Sequence, residues 1–207
     1  MPATDANYTF YSDPLQSVLF AGYTSGESVR NTSNSIFGGA QITEDNSNVA
    51  LPNILDAALF GEFSTIGGPS GGLWVVRFIL RQQAANETAD AYVLEFYSGT
   101  VVLYKRSGGV ATLLASSTGG FSALTIVLCR LRVKDVSGNA VIKVELTTDL
   151  AADREAEGSP WESVITFLDS SPIVAGKFGF ELKNPTAVAG TYSGRAEVSS
   201  ISLHPVT

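Results

Sequence analysis

The chain has 207 residues, of which 44% are hydrophobic and 16% are charged, so it carries enough apolar surface to form a core and is not intrinsically disordered. A chain of this length buries most of its unfolded surface on folding and needs no disulfide, in keeping with its single cysteine, Cys129. The 13 Lys and Arg residues against 20 Asp and Glu residues give a net charge of -7, which argues against nucleic acid or an anionic membrane as the main partner.

The amino terminus lacks the pattern of a secretion signal. Asp5 and Asp13 stand where a signal peptide carries basic residues, and the apolar stretches around them are short. No stretch of the sequence approaches the roughly 20 apolar residues that a membrane helix requires. We therefore expect a protein that is not secreted by a signal peptide and that has no membrane partner.

Residues 1–45 differ from the rest of the chain in how their polar and apolar residues are distributed. Residues 25–35 are polar and contain no strand-like run, whereas Phe10 and Phe20 belong to short apolar islands. Two interpretations stay open: the segment supplies the opening strands and a long loop of the same domain, or it is an arm that docks on a neighbouring copy. The predicted organisation is thus an amino-terminal segment followed by one domain over 46–207.

The later part of the chain is a series of short segments in which apolar and polar residues alternate, rich in Val, Ile, Leu, Phe and Tyr. Period-two alternation predicts β-strands, and helical periodicity is nearly absent. Gly, Ser and Asn residues at 98–99, 107–109 and 137–139 favour hairpin turns between antiparallel strands. Nine strands are predicted, at 73–82, 91–97, 101–106, 110–115, 124–134, 140–147, 163–168, 177–182 and 197–204.

Alternation also predicts which face of each strand is buried. In the first of the nine, Val76 and Phe78 point to one side, whereas Arg77 and Arg81 point to the other. The later strands show the same division into one apolar face and one mixed face. Two antiparallel sheets that pack through their apolar faces satisfy all of these strands at once, so the predicted fold class is all-β, a two-sheet antiparallel β-sandwich.

Four stretches of the chain carry a resemblance to a known fold. They are GGLWVVRFIL after a Gly/Pro turn, the hairpin AYVLEFYSGTVVLYKRSGGVATLLA, the pair LTIVLCRLRVKDVSGNAVIKVEL, and the ending GKFGFEL followed further on by AEVSSISLH. In this order they resemble the concanavalin A-like jelly roll of laminin G-type domains, legume-type lectins and several glycoside hydrolases. The resemblance covers roughly three quarters of the chain from about Asn48 onward and implies that fold, which hosts many functions.

Glycoside hydrolysis on this fold needs two carboxylates close together, one kept neutral as the acid and the other ionised. The related β-glucan hydrolases carry Glu and Asp alternating along one strand, and no such strand occurs in this sequence. The nearest match is Asp153, Glu155 and Glu157 in LAADREAEGSPW, whose Ala, Gly and Pro neighbours are typical of a loop or short helix. We therefore expect no catalytic residues and no enzyme activity.

Other catalytic and nucleotide-binding patterns give no stronger candidates. His204 is the single histidine, and Cys129 falls on the inward face of a predicted strand with no second cysteine to join it in a zinc site. The glycine-rich run 67–72 is not followed by a Lys-Ser/Thr pair and leads into a strand, so it predicts a turn.

Calcium is the one metal for which the sequence offers candidate ligands. The resemblance implies this cofactor, because lectin-type sandwiches often hold calcium with the hard oxygen ligands of loop residues. The candidates are Glu44, Asp45 and Asn46, with Asp135 and Asp169 as alternatives. The same residue types also make ordinary surface turns, so both interpretations stay open, and no other cofactor is expected.

Charged residues alternate with the core positions on the mixed faces of the predicted strands. If these strands share one sheet, its outer face is a lattice of opposite charges in which cross-strand Arg-Glu pairs keep the face soluble. The alternative is a groove that holds an acidic glycan or a partner protein, since the planar guanidinium suits carboxylate and sulfate. The candidate ligand-binding residues of that groove are Arg77, Arg81, Arg130, Arg132 and Tyr97, with Tyr92 and Tyr104 as alternatives for the tyrosine.

These observations leave two functional hypotheses of different classes. The first is a non-catalytic virion structural protein, such as a phage capsid decoration, cement or fibre protein, located in the virion, assembled in the host cytoplasm and partnered by other virion proteins or by copies of itself. The second, which the resemblance implies, is a carbohydrate-binding lectin-like module with glycans as partners. The two are compatible, because a sandwich on a particle surface can also bind host glycans. A glucanase-type glycoside hydrolase ranks third.

Overall fold

The computed structural model describes most of the chain and shows fourteen strands in that part of it. The described residues are 8–11, 20–22, 29–31, 37–42, 53, 55–66, 75–86, 88–97, 99–119, 126–153, 158–183 and 195–205. In chain order the strands are β1 (Tyr8–Tyr11), β2 (Phe20–Gly22), β3 (Val29–Asn31), β4 (Phe37–Ile42), β5 (Ala57–Ile66), β6 (Val75–Gln82), β7 (Ala91–Tyr97), β8 (Thr100–Ser107), β9 (Val110–Thr118), β10 (Ile126–Val136), β11 (Asn139–Thr147), β12 (Glu162–Asp169), β13 (Lys177–Lys183) and β14 (Arg195–Pro205).

The strands form two seven-stranded sheets. Sheet A has the spatial order β1-β4-β13-β6-β7-β8-β9, and sheet B has the order β12-β11-β10-β5-β14-β3-β2. Every recorded strand pair is antiparallel. The predicted all-β class and the two-sheet antiparallel sandwich are therefore confirmed. In the part of the chain that is described, no helix has the length and hydrophobicity to cross a membrane.

Each of the nine predicted strands coincides with an observed one to within three residues at either end. The prediction missed β5, which lies between β10 and β14 near the centre of sheet B. Its sequence, AALFGEFSTI, contains Ala, Gly and Glu, which are depleted in strands. The composition therefore does not predict this strand, whose pairing is set by its neighbours.

Strands β1 to β4 lie within the amino-terminal segment defined from the sequence. β4 pairs with β13 in sheet A, and β3 pairs with β14 in sheet B. Such pairing within the chain is expected if this segment supplies the opening strands of the same domain. A domain boundary at residue 45 and docking on a neighbouring copy stay predictions.

The core lies between the two sheets and is built from the side chains that alternation pointed inward. Phe78 of β6 and Phe96 of β7 meet edge to face, with ring centroids 5.9 Å apart. Burying one such side chain contributes roughly 1.5–3 kcal/mol, so this layer supplies the main driving force for folding. The buried core includes Leu59, Val76, Phe78, Leu80, Leu94, Phe96, Val101, Leu103, Cys129, Leu131, Val133, Ile142, Val144, Phe178 and Phe180.

A polar bridge joins the two sheets at one end of the core. The hydroxyl of Tyr92 on β7 donates to Asp169 Oδ2 on β12 at 2.7 Å, and Lys105 Nζ on β8 lies 2.8 Å from the same oxygen. Burial alone raises the pKa of Asp169, but the hydrogen bonds from Lys105 and Tyr92 outweigh it and hold that pKa below its ordinary value. Burial and the bond to Asp169 raise the pKa of Tyr92. The bridge fixes the sheets to each other through charge-assisted hydrogen bonds.

Candidate functional site

The four arginines predicted to line one groove lie on two different sheets. Arg77 and Arg81 belong to β6 in sheet A, whereas Arg130 and Arg132 belong to β10 in sheet B. The outer faces of the two sheets of a sandwich point in opposite directions, so these side chains do not share one ligand. Alternation predicts the face on which a side chain lies, but it does not predict which sheet the strand joins, and the predicted single groove is therefore replaced by two separate faces.

Arg81 does not reach an outer face. Its side chain is fully buried, Nε donates to the carbonyl of Leu55 at 2.9 Å, and Nη1 donates to the carbonyl of Ile173 at 2.8 Å. Buried guanidinium groups need such partners, because an unpaired charge in the interior is costly. The side chain therefore ties two connecting segments to β6 and is not positioned to contact a ligand.

A β-bulge explains why Arg81 departs from the alternation of its strand. The pairing of β6 with β13 shifts at this point, and Arg81 has a φ of 53°, in the left-handed region. The backbone also passes so close to Gly176 that a Cβ on that glycine would lie 2.5 Å from the carbonyl carbon of Arg81. A glycine is therefore required at position 176, and a bulge of this kind is not visible in a pattern of apolar and polar residues.

On the outer face of sheet B, three cations surround one buried carboxylate. Glu145 Oε2 accepts from Arg130 Nε at 2.8 Å and from Arg132 Nη2 at 2.7 Å. Its other oxygen, Oε1, lies 2.7 Å from Lys143 Nζ. Burial alone raises the pKa of Glu145, but these hydrogen bonds and charges prevail and lower it to about 2. We call these four residues the Glu145 cluster.

Trp161 lies over Arg130 of the Glu145 cluster. Its ring lies 4.5 Å from the guanidinium carbon of Arg130, which is itself only 1% exposed. The indole Nε1 donates to the carbonyl of Asp153 at 2.8 Å, and the ring packs with the buried side chains of Ala58 and Leu128. Arg130 is therefore shielded from ligands by an anchored aromatic ring. Of the acidic trio considered for catalysis, Asp153 is exposed, and residues 155 and 157 lie outside the described part of the chain.

The outer face of sheet A holds a second charge network. Arg77 Nε donates to Glu95 Oε2 on β7 at 2.7 Å, and Arg77 Nη1 donates to Glu181 Oε2 on β13 at 3.2 Å. Glu181 is fully buried, and its Oε1 accepts from Arg106 Nη1 on β8 at 3.2 Å. Burial alone lowers the pKa of Arg77, but the two carboxylates raise it above its ordinary value. The cross-strand Arg-Glu pairing expected from the sequence is present on both faces.

A depression of about 410 Å³ opens above this second network. Tyr104 and Val93 form apolar surface within it and pack against the buried side chains of Ile79 and Ala91. Burial, reinforced by the nearby Glu95, raises the pKa of Tyr104. An apolar surface interrupted by a few polar groups is the usual composition of a small-molecule site. The lining residues are Arg77, Thr88, Val93, Glu95, Tyr104, Arg106, Gly109 and Ala111.

Arg106 is a lining residue that the sequence-based candidates omit. It is 5% exposed, Nε donates to the carbonyl of Ala89 at 2.7 Å, and Nη2 has no hydrogen-bond partner among the described residues. The sequence contained a signal for Arg106. Tyr104 and Arg106 occupy alternate positions of β8 and so share one face of the strand, just as Arg77 alternates with the core positions of β6. Tyr97, the predicted aromatic ligand residue, is half-buried at the end of β7 and does not line the depression.

The calcium candidates Glu44, Asp45 and Asn46 lie outside the described residues. Within the parts of the chain that are described, no group of three His, Cys, Asp or Glu side chains is placed to hold a metal ion. Calcium binding at the predicted position therefore stays a prediction.

Comparisons with known proteins identify the fold. Neither a family model nor a curated protein matches the sequence. A carbohydrate-binding module of Bacillus subtilis, CBM66, is 12% identical with a TM-score of 0.59, covering 95% of this chain and 94% of that chain. The exoplasmic/lumenal domain of VIP36, in a form bound to Ca2+ and Man3GlcNAc, is 13% identical with a TM-score of 0.63, covering 99% and 86%. Alginate lyase A1-II' is 16% identical with a TM-score of 0.52, covering 90% of this chain and 83% of that chain.

At these identities the likeness shows the fold alone. The resemblance found in the sequence is confirmed: this chain has the concanavalin A-like jelly-roll fold.

Proposed function

We propose that this chain is a carbohydrate-binding, lectin-like module whose ligand occupies the depression on the outer face of sheet A. The observation that carries the proposal is the composition of that depression. Its lining contains both the aromatic ring of Tyr104 and the hydrogen-bonding groups of Arg77, Glu95 and Arg106. A sugar presents both hydroxyl groups and apolar C–H surface, so a site for it needs an aromatic or apolar surface beside a few oriented polar groups.

The structural similarities support this proposal over the virion role. Two of the similar structures are a carbohydrate-binding module and a domain bound to an oligosaccharide, and both match nearly the whole chain. Fold alone does not transfer function, so the site must carry the argument. The virion structural role, the virion location and the virion partners stay predictions from the sequence, since none of the similar structures named above supports them. Calcium is a candidate cofactor, supported by the Ca2+-bound form of the VIP36 domain.

We propose binding without catalysis. An alginate lyase shares the fold, so the fold itself is compatible with an enzyme. Two-carboxylate hydrolysis needs both carboxyl groups at the substrate. Of the two carboxylates in the sheet A network, Glu95 lines the depression, whereas Glu181 is fully buried and held by Arg77 and Arg106.

A pair of tyrosine variants tests the location of the site. Tyr104→Ala removes the aromatic surface of the depression and is expected to weaken glycan binding about tenfold, which corresponds to the energy of one aromatic contact. Tyr97→Ala is the matched control, because Tyr97 lies on the neighbouring strand β7 outside the depression, and its affinity is expected to stay within twofold. The measurement is a glycan-array screen of the full chain followed by calorimetric titration of the best ligand. Absence of binding to any glycan would contradict the proposed function.

A further inference from the structure

The charges around the depression are already balanced. Arg77 and Arg106 carry two positive charges, and Glu95 and Glu181 carry two negative charges. Glu181 uses one oxygen for each arginine, and Arg77 directs all three of its nitrogens to the two carboxylates. An anionic ligand therefore finds no uncompensated cation in this network, and Glu95 repels it from the lining of the depression.

Three hydrogen-bonding groups of the lining residues are not used by any described residue. Arg106 Nη2 is a buried donor with no acceptor in the described part of the chain, although the residue lines the depression. Glu95 receives both of its bonds from Arg77 on Oε2, so its Oε1 is an acceptor without a donor in the described structure. The Tyr104 hydroxyl, which can donate and accept, makes no hydrogen bond to a described residue.

The unused groups match a hydroxyl-bearing ligand better than an anion. A hydroxyl group donates one hydrogen bond and accepts others, so neighbouring hydroxyls can satisfy a lone donor and a lone acceptor together. The carboxylate or sulfate group of an acidic sugar only accepts, so that group cannot donate to Glu95 Oε1 and is repelled by its charge. An unsatisfied buried donor such as Arg106 Nη2 is unfavourable, so a ligand that supplies its acceptor gains affinity from that bond.

We propose that the depression selects uncharged, polyhydroxylated sugars over acidic ones, with Arg106 donating to a ligand hydroxyl and Glu95 disfavouring an anion. The inference rests on the proposed function and deepens it by naming the ligand class. It also replaces the acidic glycan considered from the sequence, which assumed four arginines on one face.

The test compares Arg106→Lys with Arg132→Lys. Both substitutions keep the positive charge and remove the planar fork, but Arg132 lies in the Glu145 cluster on the opposite sheet. The probes are three oligosaccharide sets of matched length: neutral oligosaccharides, oligouronates and sulfated oligosaccharides. Wild-type protein is expected to bind a neutral member best. Arg106→Lys is expected to weaken that binding about tenfold or more, and Arg132→Lys to leave it within twofold.

A second variant keeps the test decisive if Arg106→Lys does not fold. Glu95→Gln replaces a partly exposed side chain by one of the same shape and gives the network a net charge of +1. This variant is expected to gain at least about tenfold in affinity for an oligouronate at low salt, because the repelling charge is gone. Thermal unfolding of each variant shows whether the fold is intact.

The outcomes separate the inference from the proposed function. If no oligosaccharide of any set binds, the proposed function fails. If the wild type prefers uronates or sulfated sugars, the proposed function stands and the inference is overturned. Neutral-sugar binding that survives a folded Arg106→Lys variant overturns it as well, and so does a folded Glu95→Gln variant that gains no affinity for uronates.

Discussion

The two outer faces of the sandwich both place charged side chains on a sheet, but they arrange them differently. On sheet B, three cations converge on Glu145, and Trp161 lies over Arg130. In the sheet A network two arginines pair with two glutamates, and an open depression lies above them. The aromatic ring shields Arg130 on sheet B, whereas Arg106 of sheet A lines an open depression.

The difference shows that one sequence pattern, the alternation of charged and apolar residues, can serve both the stability of the fold and the binding of a ligand. A buried cluster whose carboxylate accepts from three cations contributes to the specificity and stability of the fold. A network that leaves donors and acceptors unused beside an apolar surface is less complete as a structural element and better suited to binding. Substitutions in the Glu145 cluster and at Trp161 test this contrast on sheet B.

The largest effect is expected from Glu145→Gln. This substitution removes the counter-charge of the buried Arg130 and leaves three cations together, which we expect to lower the free energy of unfolding by about 3–5 kcal/mol. Urea denaturation followed by tryptophan fluorescence measures the change. The matched control is Glu162→Gln, because Glu162 is exposed on the adjacent strand β12 and should change stability by no more than about 0.5 kcal/mol. Equal effects of the two variants would show that the cluster is not a buried network.

Acid should weaken the same cluster. The pKa of Glu145 lies at about 2 in the folded protein, below its ordinary value of 4.5, so the folded state favours the ionised carboxylate. The resulting stability is complete above pH 4.5 and is lost as the pH falls from there through 2, for a total of about 3 kcal/mol. Asp169, whose pKa is also lowered, adds to the loss in the same direction.

The measurement is urea denaturation at several values between pH 7 and pH 2. The free energy of unfolding of the wild type should fall more steeply with acid than that of Glu145→Gln, in which this titration is absent. Parallel pH profiles for the two proteins would assign the acid sensitivity to other carboxylates.

A smaller effect is expected from Trp161→Phe. The substitution removes the hydrogen bond from Nε1 to the carbonyl of Asp153 and weakens the stacking on Arg130, which together stabilise the fold by about 1–2 kcal/mol. Glycan affinity should stay within twofold, since the ring covers the face opposite the proposed site. Unfolding monitored by circular dichroism and titration with the best glycan give the two readouts. A loss of glycan binding with intact stability would move the site to sheet B.

Much of the fold could be predicted from the sequence, whereas only part of the site could. Alternation located nine strands and assigned Val76, Phe78 and Arg77 to their correct faces. It placed Arg81 on an outer face, because a β-bulge that changes the direction of a side chain leaves no mark in the apolar-polar pattern. It also placed Arg130 beside Arg77, because nothing local to a strand specifies which sheet it joins.

The sequence by itself determined the strands, their turns and their buried faces, because these follow from the backbone geometry of neighbouring residues and from the burial of apolar side chains. Only the tertiary structure decided which charges meet. Arg77 and Glu181 are 104 positions apart, and Arg106 and Glu181 are 75 positions apart. Their contacts exist because β13 enters sheet A beside β6. This order of strands places the depression over one charge network, while Trp161 lies over Arg130 of the other.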